Sequence, residues 1–429
     1  MSTTKEEQRL GGRGIPIRPT REAAAELYPA SGASPPPLLY GITWLTDFSA
    51  ALLVFSVTRN LSERVADPIQ LGLAGGGLCA AHTVSTLVCG HLSDRLGRRA
   101  MTAGGMLVLL ASIGAVALLQ ADHWSYFFSY ACAGAATGAI YPSLIAWLTR
   151  GEHGPHTGRV LVGFCLAWNV GMMAGQAVGG KLFGRWGTEA PLILAMILLS
   201  INVVATLLAD RNGLPDSTTA GREQSKLPPK AALSAAFARL GWIGNVGGTF
   251  SMSMVLFLFP HLAVGLSIAP AEQGGMVAMS RIVVISTYLV MYLTQFWHHR
   301  FSVALVAQSL GIVGLVCLSL AESRLGLMLG LAAFSTLPGY NYFASLFYST
   351  CGSTDEARGA SSGIHEATLG AGLALGSVCG GLIGSYGGDR APFWLAAAVI
   401  AALSVTQVLA FRKLIVPIRA RMNALTGLG

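Results

Sequence analysis

The sequence predicts an all-α integral membrane protein whose twelve transmembrane helices form two six-helix bundles. Hydrophobic residues make up 53% of the 429 residues and charged residues only 11%, whereas a soluble chain carries about 25% charged residues. A surface with so little charge has to meet lipid over most of its area, and the apolar residues fall in stretches long enough to cross a bilayer. This composition excludes a cytosolic enzyme, a secreted disulfide-rich domain and a disordered chain.

The order of these stretches divides the chain into two halves. A polar N-terminal tail covers residues 1–37, and a polar linker at 210–235 separates six apolar stretches from six more. The first half therefore covers 38–209, the second half covers 236–411, and a basic C-terminal tail covers 412–429. Each crossing helix needs about 20 residues. The predicted spans are 38–58, 71–90, 101–120, 124–148, 159–181, 190–209, 236–263, 272–297, 302–321, 325–350, 359–385 and 391–411.

The distribution of basic residues predicts which side of the membrane each loop faces. The two tails, the linker with its flank and the loops after even-numbered spans hold 21 Lys and Arg residues, and the loops after odd-numbered spans hold 6. Because basic loops stay on the cytoplasmic side, we expect both termini to lie in the cytoplasm. We expect the protein in the plasma membrane, which in a bacterium is the inner membrane. The net charge of +8 then reflects membrane orientation and not nucleic-acid binding.

A weak glycine repeat relates the two halves. Four glycines of span 5 recur in span 11, and small residues at this spacing let helices approach closely. Two like-oriented halves joined by a cytoplasmic linker indicate one architecture of secondary transporters. The matching positions, 201 residues apart, are Gly171, Gly175, Gly179 and Gly180 in span 5 and Gly372, Gly376, Gly380 and Gly381 in span 11.

The loop between spans 2 and 3 carries the most specific motif of the chain, Gly90-His91-Leu92-Ser93-Asp94-Arg95-Leu96-Gly97-Arg98-Arg99. It resembles the G-x-L-x-D-R-x-G-R-R signature of the major facilitator superfamily, and the resemblance covers about residues 38–411. The resemblance implies the fold of that superfamily and secondary transport. It also implies a conformational latch between the halves, and the alternative is a basic anchor at the membrane surface, which we expect for Arg99. The latch residues are Gly90, Asp94, Arg95, Gly97 and Arg98.

One carboxylate, Asp47, falls near the middle of span 1. An ionisable side chain within the bilayer costs at least about 2.5 kcal/mol and marks a functional site by default. We expect Asp47 to bind a proton or a cationic substrate, because burial favours the neutral carboxylic acid. The segment Thr46-Asp47-Phe48-Ser49 resembles a T-D-x-S start seen in some bacterial members of the superfamily, although Ala51 replaces the glutamate that often follows. The alternative role is a structural hydrogen bond.

Two more ionisable residues fall within spans of the second half. Glu366 follows His365 in span 11, and Arg281 lies near the middle of span 8. The two form an ion pair, or Arg281 binds an anionic group of the substrate, and the sequence leaves both alternatives open. Asp47, Glu366 and Arg281 together carry one net negative charge. This surplus favours proton coupling, because the site becomes neutral when it takes up a proton.

The resemblance implies that spans 1, 4, 7 and 10 line a central cavity. Polar and aromatic residues on these spans, with one on span 5, are candidate substrate-binding residues. Their alternative roles are to anchor the helices at the membrane interface or to bond neighbouring helices. His82 on span 2 is expected to be a satisfied core residue. The candidates are Tyr40, Trp44, Tyr141, Asn169, Trp242, Asn245, Tyr340 and Asn341.

These features predict a monomeric secondary active transporter that works by alternating access and couples a proton, or another cation, to a small-molecule substrate. We expect proton-coupled export of a small organic or drug-like solute. The alternatives are proton-coupled uptake of a sugar, organic acid or other small metabolite, and a non-transporting membrane sensor. The antiporter features of the superfamily are incomplete, because Ala131 stands where many antiporters carry an arginine on span 4, and span 5 lacks their proline.

Enzymatic function is not expected. The sequence shows no phosphate-binding loop, no metal-ligand spacing and no nucleophile-base cluster, so we predict no cofactor, no metal and no nucleic-acid partner. The seven cysteines have no C-x-x-C spacing and are expected to act as small apolar residues. Without a nucleotide site, a gradient has to drive transport.

Overall fold

The computed structural model describes residues 37–64, 67–119, 121, 123–149, 155–209, 229–352 and 358–426. Nearly all of these residues are helical, and none forms a strand. Nearly all of the predicted N-terminal tail and most of the linker lie outside the described residues, so their predicted boundaries stay predictions. The predicted all-α membrane fold with two six-helix bundles is confirmed.

Twelve long helices follow one another in the order that the apolar stretches predict, and short turns join most of them. The seventh is interrupted by a π-helical turn, and the twelfth leads through a second π turn, Phe411–Ile415, into a short helix at the C-terminus. The bounds are α1 Pro37–Arg64, α2 Pro68–Leu96, α3 Arg98–Leu118, α4 Trp124–Leu148, α5 Pro155–Trp186, α6 Glu189–Leu208, α7 Pro229–Ser253 with Met254–Leu258 and Phe259–Gly265, α8 Pro270–Leu293, α9 Phe301–Leu320, α10 Arg324–Cys351, α11 Arg358–Gly387, α12 Ala391–Ala410 and α13 Val416–Thr426.

Eleven of the helices in the described ranges are long and apolar enough to cross a membrane. The remaining long helix is α10, which has 28 residues but a polar and aromatic middle around Tyr340 and Asn341. These side chains are buried against other helices. Because they face protein, the lower hydropathy of α10 does not expose polar groups to lipid.

Each half packs mainly within itself. In the first half α1 lies against α5 and α6 while α2 lies against α4, and in the second half α7 lies against α10, α11 and α12. The halves meet mainly through two helix pairs, α2 with α11 and α5 with α8. We call the end of the bundle that holds Pro37 and α13 the tail end, and the opposite end the far end.

The glycine repeat is a packing device that works in the same way in both halves. The first three glycines of each set pack against the first helix of their own half, which is α1 for α5 and α7 for α11. The fourth glycine of each set contacts the other half instead. Gly180 meets Pro270 and Gly274 of α8, and Gly381 meets Pro68 and Gly72 of α2. Backbones approach closely at these points because no side chain separates them.

The far end is also closed by a polar contact between the halves. Arg59 lies within α1, although the sequence predicted that it follows span 1 in a loop. Its side chain is buried. Its Nη1 donates to Oε1 of Gln273 on α8 at 2.7 Å, and its Nε bonds Oε1 of Glu63 at 2.6 Å. Because charge-assisted hydrogen bonds are stronger than neutral ones, this contact holds α1 to α8 in the present conformation.

Candidate central binding cavity

Asp47 lies midway along α1 with its side chain only 1% exposed. The hydroxyl of Tyr141 on α4 donates a hydrogen bond to Asp47 Oδ1 at 2.5 Å, whereas Oδ2 has no hydrogen-bond partner among the described residues. Gly171 of α5 gives the carboxylate room, since a Cβ at that position would lie 3.0 Å from Asp47 Cβ. A buried acceptor left without a donor is costly, so Oδ2 is suited to binding a proton or a ligand.

A cavity of about 150 Å³ opens beside Asp47, between the two halves. This volume holds about one aromatic ring, because an engineered apolar cavity of that size in another protein binds benzene. The wall is mostly apolar, with a few polar groups that converge on the space, as is typical of small-molecule sites. The main lining residues are Asp47, Leu78, His82, Tyr141, Trp168 and Met172 from the first half and Met252, Leu256, Phe257, Tyr342, Glu366 and Leu369 from the second.

The π-helical turn of α7 shapes this wall. Leu256 and Phe257 belong to the turn and line the cavity, and Gly75 of α2 leaves room for the Phe257 ring. Such π turns often occur at functional sites because they rotate the side chains that follow. The turn therefore places one α7 segment across the boundary between the halves.

Glu366 faces the same cavity from α11, and its side chain is 21% exposed. Its neighbour His365 is fully buried and shares a hydrogen bond of 2.8 Å between Nδ1 and the Ser345 hydroxyl of α10. The other ring nitrogen, Nε2, lies 3.9 Å from Glu366 Oε1 and has no hydrogen-bond partner among the described residues. The second carboxylate of the cavity thus has an imidazole neighbour.

Arg281 is 6% exposed and lies on α8, beside the main cavity. The ion pair with Glu366, one of the two alternatives, is not formed among the described residues. Arg281 instead faces a small side cavity between α7, α8 and α10, and its charge interacts with Asp47 and with Tyr288. The side cavity shares Trp168, Met252, Tyr342 and Leu369 with the main one, so the two are neighbours.

The candidate substrate-binding residues divide into two groups. Tyr141 lines the main cavity, and Asn245 lines the side cavity while it donates to the Thr368 hydroxyl at 3.0 Å. Asn169 is fully buried, donates to the carbonyl of Cys165 at 2.9 Å and leaves its Oδ1 without a partner. The structure therefore brings Tyr141 and Asn245 to the cavities.

The other five candidates lie away from the described central cavities and support packing. Tyr40 packs against Gly163, and Trp44 packs against Phe48. Trp242 Nε1 donates to the Ser349 hydroxyl at 2.9 Å, and Asn341 Nδ2 donates to the carbonyl of Gly244 at 2.7 Å, which ties α7 to α10. The fifth, Tyr340, lies with Asn341 at a separate small cavity inside the second half.

Two cavity residues were not predicted from the sequence. His82 forms the hydrogen bond expected of a core residue, 3.0 Å between Nδ1 and the Thr137 hydroxyl, but its ring also lines the main cavity. Tyr342 lies between the main cavity and the side cavity and packs against Trp168 of the other half, with the ring centroids 5.3 Å apart and the rings tilted by 56°. Tyr340 and Asn341 were candidates as polar and aromatic residues of span 10, and only helix rotation distinguishes them from Tyr342.

The loop between α2 and α3 is held within the first half. Gly97 has φ +89°, which favours glycine, and separates the two helices. Arg98 Nη1 donates to the carbonyl of Ala146 at the end of α4 at 2.5 Å, and Arg99 donates to the carbonyls of Ala209 and Leu207 at the end of α6. Basic groups at helix C-termini stabilise free carbonyls. Arg95 is exposed, and the surroundings of Gly90 and the side chain of Asp94 lie outside what the structure describes, so the latch stays a prediction.

The equivalent loop of the second half, between α8 and α9, uses aromatic packing instead of arginines. Trp297 is 1% exposed and donates from Nε1 to the carbonyl of Met291 at 2.8 Å. His298 stacks on Phe347, and partial burial lowers the pKa of His298 from its ordinary value. The His299 carbonyl accepts a hydrogen bond from Arg419 of α13. The C-terminal helix thereby fastens this loop.

Two helical bundles with a largely apolar cavity between them are an architecture found among membrane transporters. The family model described as Major Facilitator Superfamily matches residues 39–354, and the chain belongs to this superfamily. A comparison with curated protein sequences finds no match.

Several solved structures share the fold at low sequence identity. The nucleoside transporter NupG is 13% identical with a TM-score of 0.63, over 87% of this chain and 98% of that chain. The human organic anion transporter MFSD10 is 14% identical with a TM-score of 0.62, over 86% and 99%. A bacterial homologue of the human lysosomal transporter Spinster, inward-facing and unoccupied, is 14% identical with a TM-score of 0.70, over 88% and 96%.

Proposed function

We propose that this protein is a secondary active transporter that couples the movement of protons to that of a small organic solute. The observation that carries the proposal is the buried Asp47 carboxylate, which faces a cavity between the halves and has one oxygen without a partner. In alternating access the two halves rock about such a central site. Asp47 takes up a proton when the cavity is open to one side and releases it when the cavity is open to the other.

The far-end contacts support a rocking mechanism. Glycine backbones meet at Gly72 with Gly381 and at Gly180 with Gly274, and Arg59 bonds Gln273 across the same end. Tight helix contacts of this kind have two discrete arrangements, because packed interfaces do not deform continuously. Opening the far end separates these contacts and exposes the cavity there.

Two observations favour different directions of transport. The wall of Met172, Met252 and aromatic rings adapts to varied apolar ligands, which favours export of drug-like solutes in exchange for protons. The Arg281 side chain, free of Glu366, favours uptake of an anionic metabolite together with protons. The solved neighbours do not select between them, since one is a nucleoside transporter and another is an organic anion transporter.

The proposal includes an orientation in the membrane. Among the described residues, the tail end carries twelve Lys and Arg residues, including Arg95, Arg98 and Arg99, whereas the far end carries six. By the positive-inside rule the tail end faces the cytoplasm of the plasma membrane, which in a bacterium is the inner membrane. One chain holds both halves and the cavity, so the functional unit is a monomer. Fluorescence of a green fluorescent protein fused to the C-terminus tests this, because that fusion folds only in the cytoplasm.

The test of the proposed function is solute flux into proteoliposomes with and without an imposed pH gradient. The solutes are single-ring organic acids, amides and amines, matched to the size of the cavity. For wild type, reversing the gradient reverses the direction in which a solute accumulates. Asp47→Asn abolishes the effect of the gradient, while solute counterflow without a gradient persists.

Asp389→Asn is the matched control, since this carboxylate lies outside the cavity and pairs with His261 at 3.2 Å. It is expected to keep gradient-driven flux. Equal dependence on the gradient in wild type and Asp47→Asn would show that Asp47 is not the coupling group.

A further inference from the structure

We propose that Arg281 binds the anionic group of a small, largely apolar monoanion, and that this anion and a proton on Asp47 bind together. The inference rests on the proposed function and adds to it a class of substrate and the direction in which proton and substrate movement are coupled. It starts from the position of Arg281, which is 94% buried (6% exposed) and faces the side cavity. No hydrogen bond or ion pair joins its guanidinium to any described residue.

An uncompensated guanidinium in this position needs a partner. Removing a charge from water is costly unless the charge is paired and hydrogen-bonded. Arginine also cannot escape the cost by losing its proton, because its guanidinium stays charged in proteins. The five N–H donors of Arg281 are therefore available to a ligand, and a carboxylate or sulfonate matches their planar geometry.

The volumes and the shared wall of the two neighbouring cavities indicate which ligand is attached to the anionic group. The side cavity measures about 10 Å³, which is room for one water-sized group. It shares Trp168 and Tyr342 with the main cavity of about 150 Å³. An anionic oxygen in the side cavity thus places an attached ring in the apolar main cavity. Asn245 and Thr249 of α7 add polar groups beside the guanidinium.

Asp47 and the anion compete for the same positive charge. Asp47 lines the main cavity and Arg281 lines the side cavity that adjoins it, and no ion pair joins the two charges in the described structure. An ionised Asp47 neutralises part of the field of Arg281 and repels an anion. Once Asp47 is protonated, the field of Arg281 is free to bind the anion, and the bound anion in turn favours the proton on Asp47. This reciprocity is required by thermodynamic linkage.

Mutual stabilisation determines the direction of coupling. Because the loaded state holds proton and anion together, both cross the membrane on the same rocking step. The transporter is therefore a proton–anion symporter, and an inward proton gradient drives uptake of the anion. An antiporter needs the opposite arrangement, in which proton and substrate exclude each other.

Other ionisable groups face the cavity of Asp47 from the surrounding helices. Tyr288 of α8 lines the side cavity together with Arg281. Within the described residues α6 and α7 add no titratable side chain to the cavity wall. The ionisable groups at the main cavity or at the adjoining side cavity are Cys79 and His82 on α2, Tyr141 on α4, Arg281 and Tyr288 on α8, Tyr342 on α10 and Glu366 on α11.

The test is calorimetric titration of the purified full chain in detergent. The probes are benzenesulfonate and benzoate, each compared with its neutral isostere, benzenesulfonamide or benzamide. Titrations at about pH 6 and about pH 8 bracket the range in which buried carboxylates titrate. Wild type is expected to bind at least one of the anions on the order of tenfold more tightly than its isostere at the lower pH, and more weakly at the higher pH.

Three variants separate the roles. Arg281→Gln is expected to lose the preference for the anion, and Arg281→Lys to keep part of it. Asp47→Asn is expected to bind the anion equally at both pH values, as tightly as wild type at the lower one. Arg185→Gln is the matched control, because Arg185 is an exposed arginine that stacks on Trp186 at 5.0 Å, and it is expected to behave as wild type.

Several results would overturn the inference. They are wild-type affinity for the anion in Arg281→Gln, a persistent pH dependence in Asp47→Asn, and no preference for either anion over its isostere. If Arg281→Gln does not fold, the Asp47→Asn result decides. Gradient-driven flux without anion preference overturns this inference and leaves the proposed function intact. Anion binding with the expected pH dependence, but without flux, overturns the proposed function and the symport that rests on it, and leaves the joint binding of anion and proton intact.

Discussion

Tyr141 donates its hydroxyl hydrogen to Asp47 Oδ1 across the gap between α4 and α1, at 2.5 Å. Asp47 Oδ2, on the same carboxylate, accepts no hydrogen bond from the described residues. One oxygen is therefore held in place while the other is left without a donor. This asymmetry suits a proton carrier, because the donor fixes the carboxylate and still leaves a position for the proton.

Tyr141→Phe tests the role of this hydrogen bond. The bond stabilises the ionised carboxylate, so its loss is expected to raise the pH midpoint of transport. A hydrogen bond to a charged group contributes about 1.5–3 kcal/mol, which corresponds to a shift of about 1 to 2 pH units. The pH profile of flux measures the shift.

Tyr130→Phe is the matched control on the same helix, because the buried Tyr130 hydroxyl has no hydrogen-bond partner in the described structure. Its midpoint is expected to stay at the wild-type value. Identical midpoints in Tyr141→Phe and wild type would contradict a coupling between Tyr141 and Asp47.

Gly274→Ala tests the closure of the far end. A Cβ at Gly274 would lie 3.1 Å from Gly180 Cα and closer still to the carbonyl of Gln176, both backbone atoms that cannot rotate away. Overpacking of this kind costs about 1–3 kcal/mol, so the population is expected to shift on the order of tenfold towards states open at the far end. Distances between spin labels at Trp186 and Tyr386 report the shift, with the exposed Cys317 and Cys351 replaced by serine.

Gly275→Ala is the control for this experiment, since a Cβ at the adjacent position has nothing within 4 Å. It is expected to keep the wild-type distance distribution. If Gly274→Ala gives the same distribution as Gly275→Ala, the glycine contact does not determine closure.

Arg99→Gln tests the anchor between the loop after α2 and the end of α6. Arg99 donates to the carbonyls of Ala209, at 3.0 Å, and Leu207. Because the site is partly exposed, we expect a loss of about 1 kcal/mol, which lowers the apparent Tm by about 2 to 4 °C. Arg95→Gln changes an exposed arginine of the same loop and is expected to leave the Tm unchanged, and an equal loss in both variants would refute the anchor.

The helices could be predicted from the sequence because the bilayer imposes a single length and polarity on every span. All twelve predicted spans coincide with helices to within several residues. The interruption of α7 at Met254–Leu258 could not be predicted, since the apolar pattern continues through it. Arg59 was assigned to a loop because a charged residue after span 1 usually ends the span, whereas Gln273 and Glu63 compensate it inside the helix.

The charged residues of the candidate site could be predicted from the sequence, whereas the residues that surround these charges could be predicted only in part. Asp47, Glu366 and Arg281 attract notice because charges are rare within spans, and the structure places all three at the two adjoining cavities. Which residues face these charges depends on the rotation of each helix about its axis. A rotation by one or two residues decides between Asn341 and Tyr342, and no pattern in a single sequence fixes it.

The most direct test of the account is infrared titration of the purified protein between acidic and alkaline pH. It detects the carbonyl stretching band of a protonated carboxylic acid and requires no known substrate. The account predicts a band that Asp47→Asn removes and that Tyr141→Phe shifts in frequency, because the hydrogen bond at 2.5 Å is lost. A band that is unchanged in both variants would contradict the assignment of the proton to Asp47.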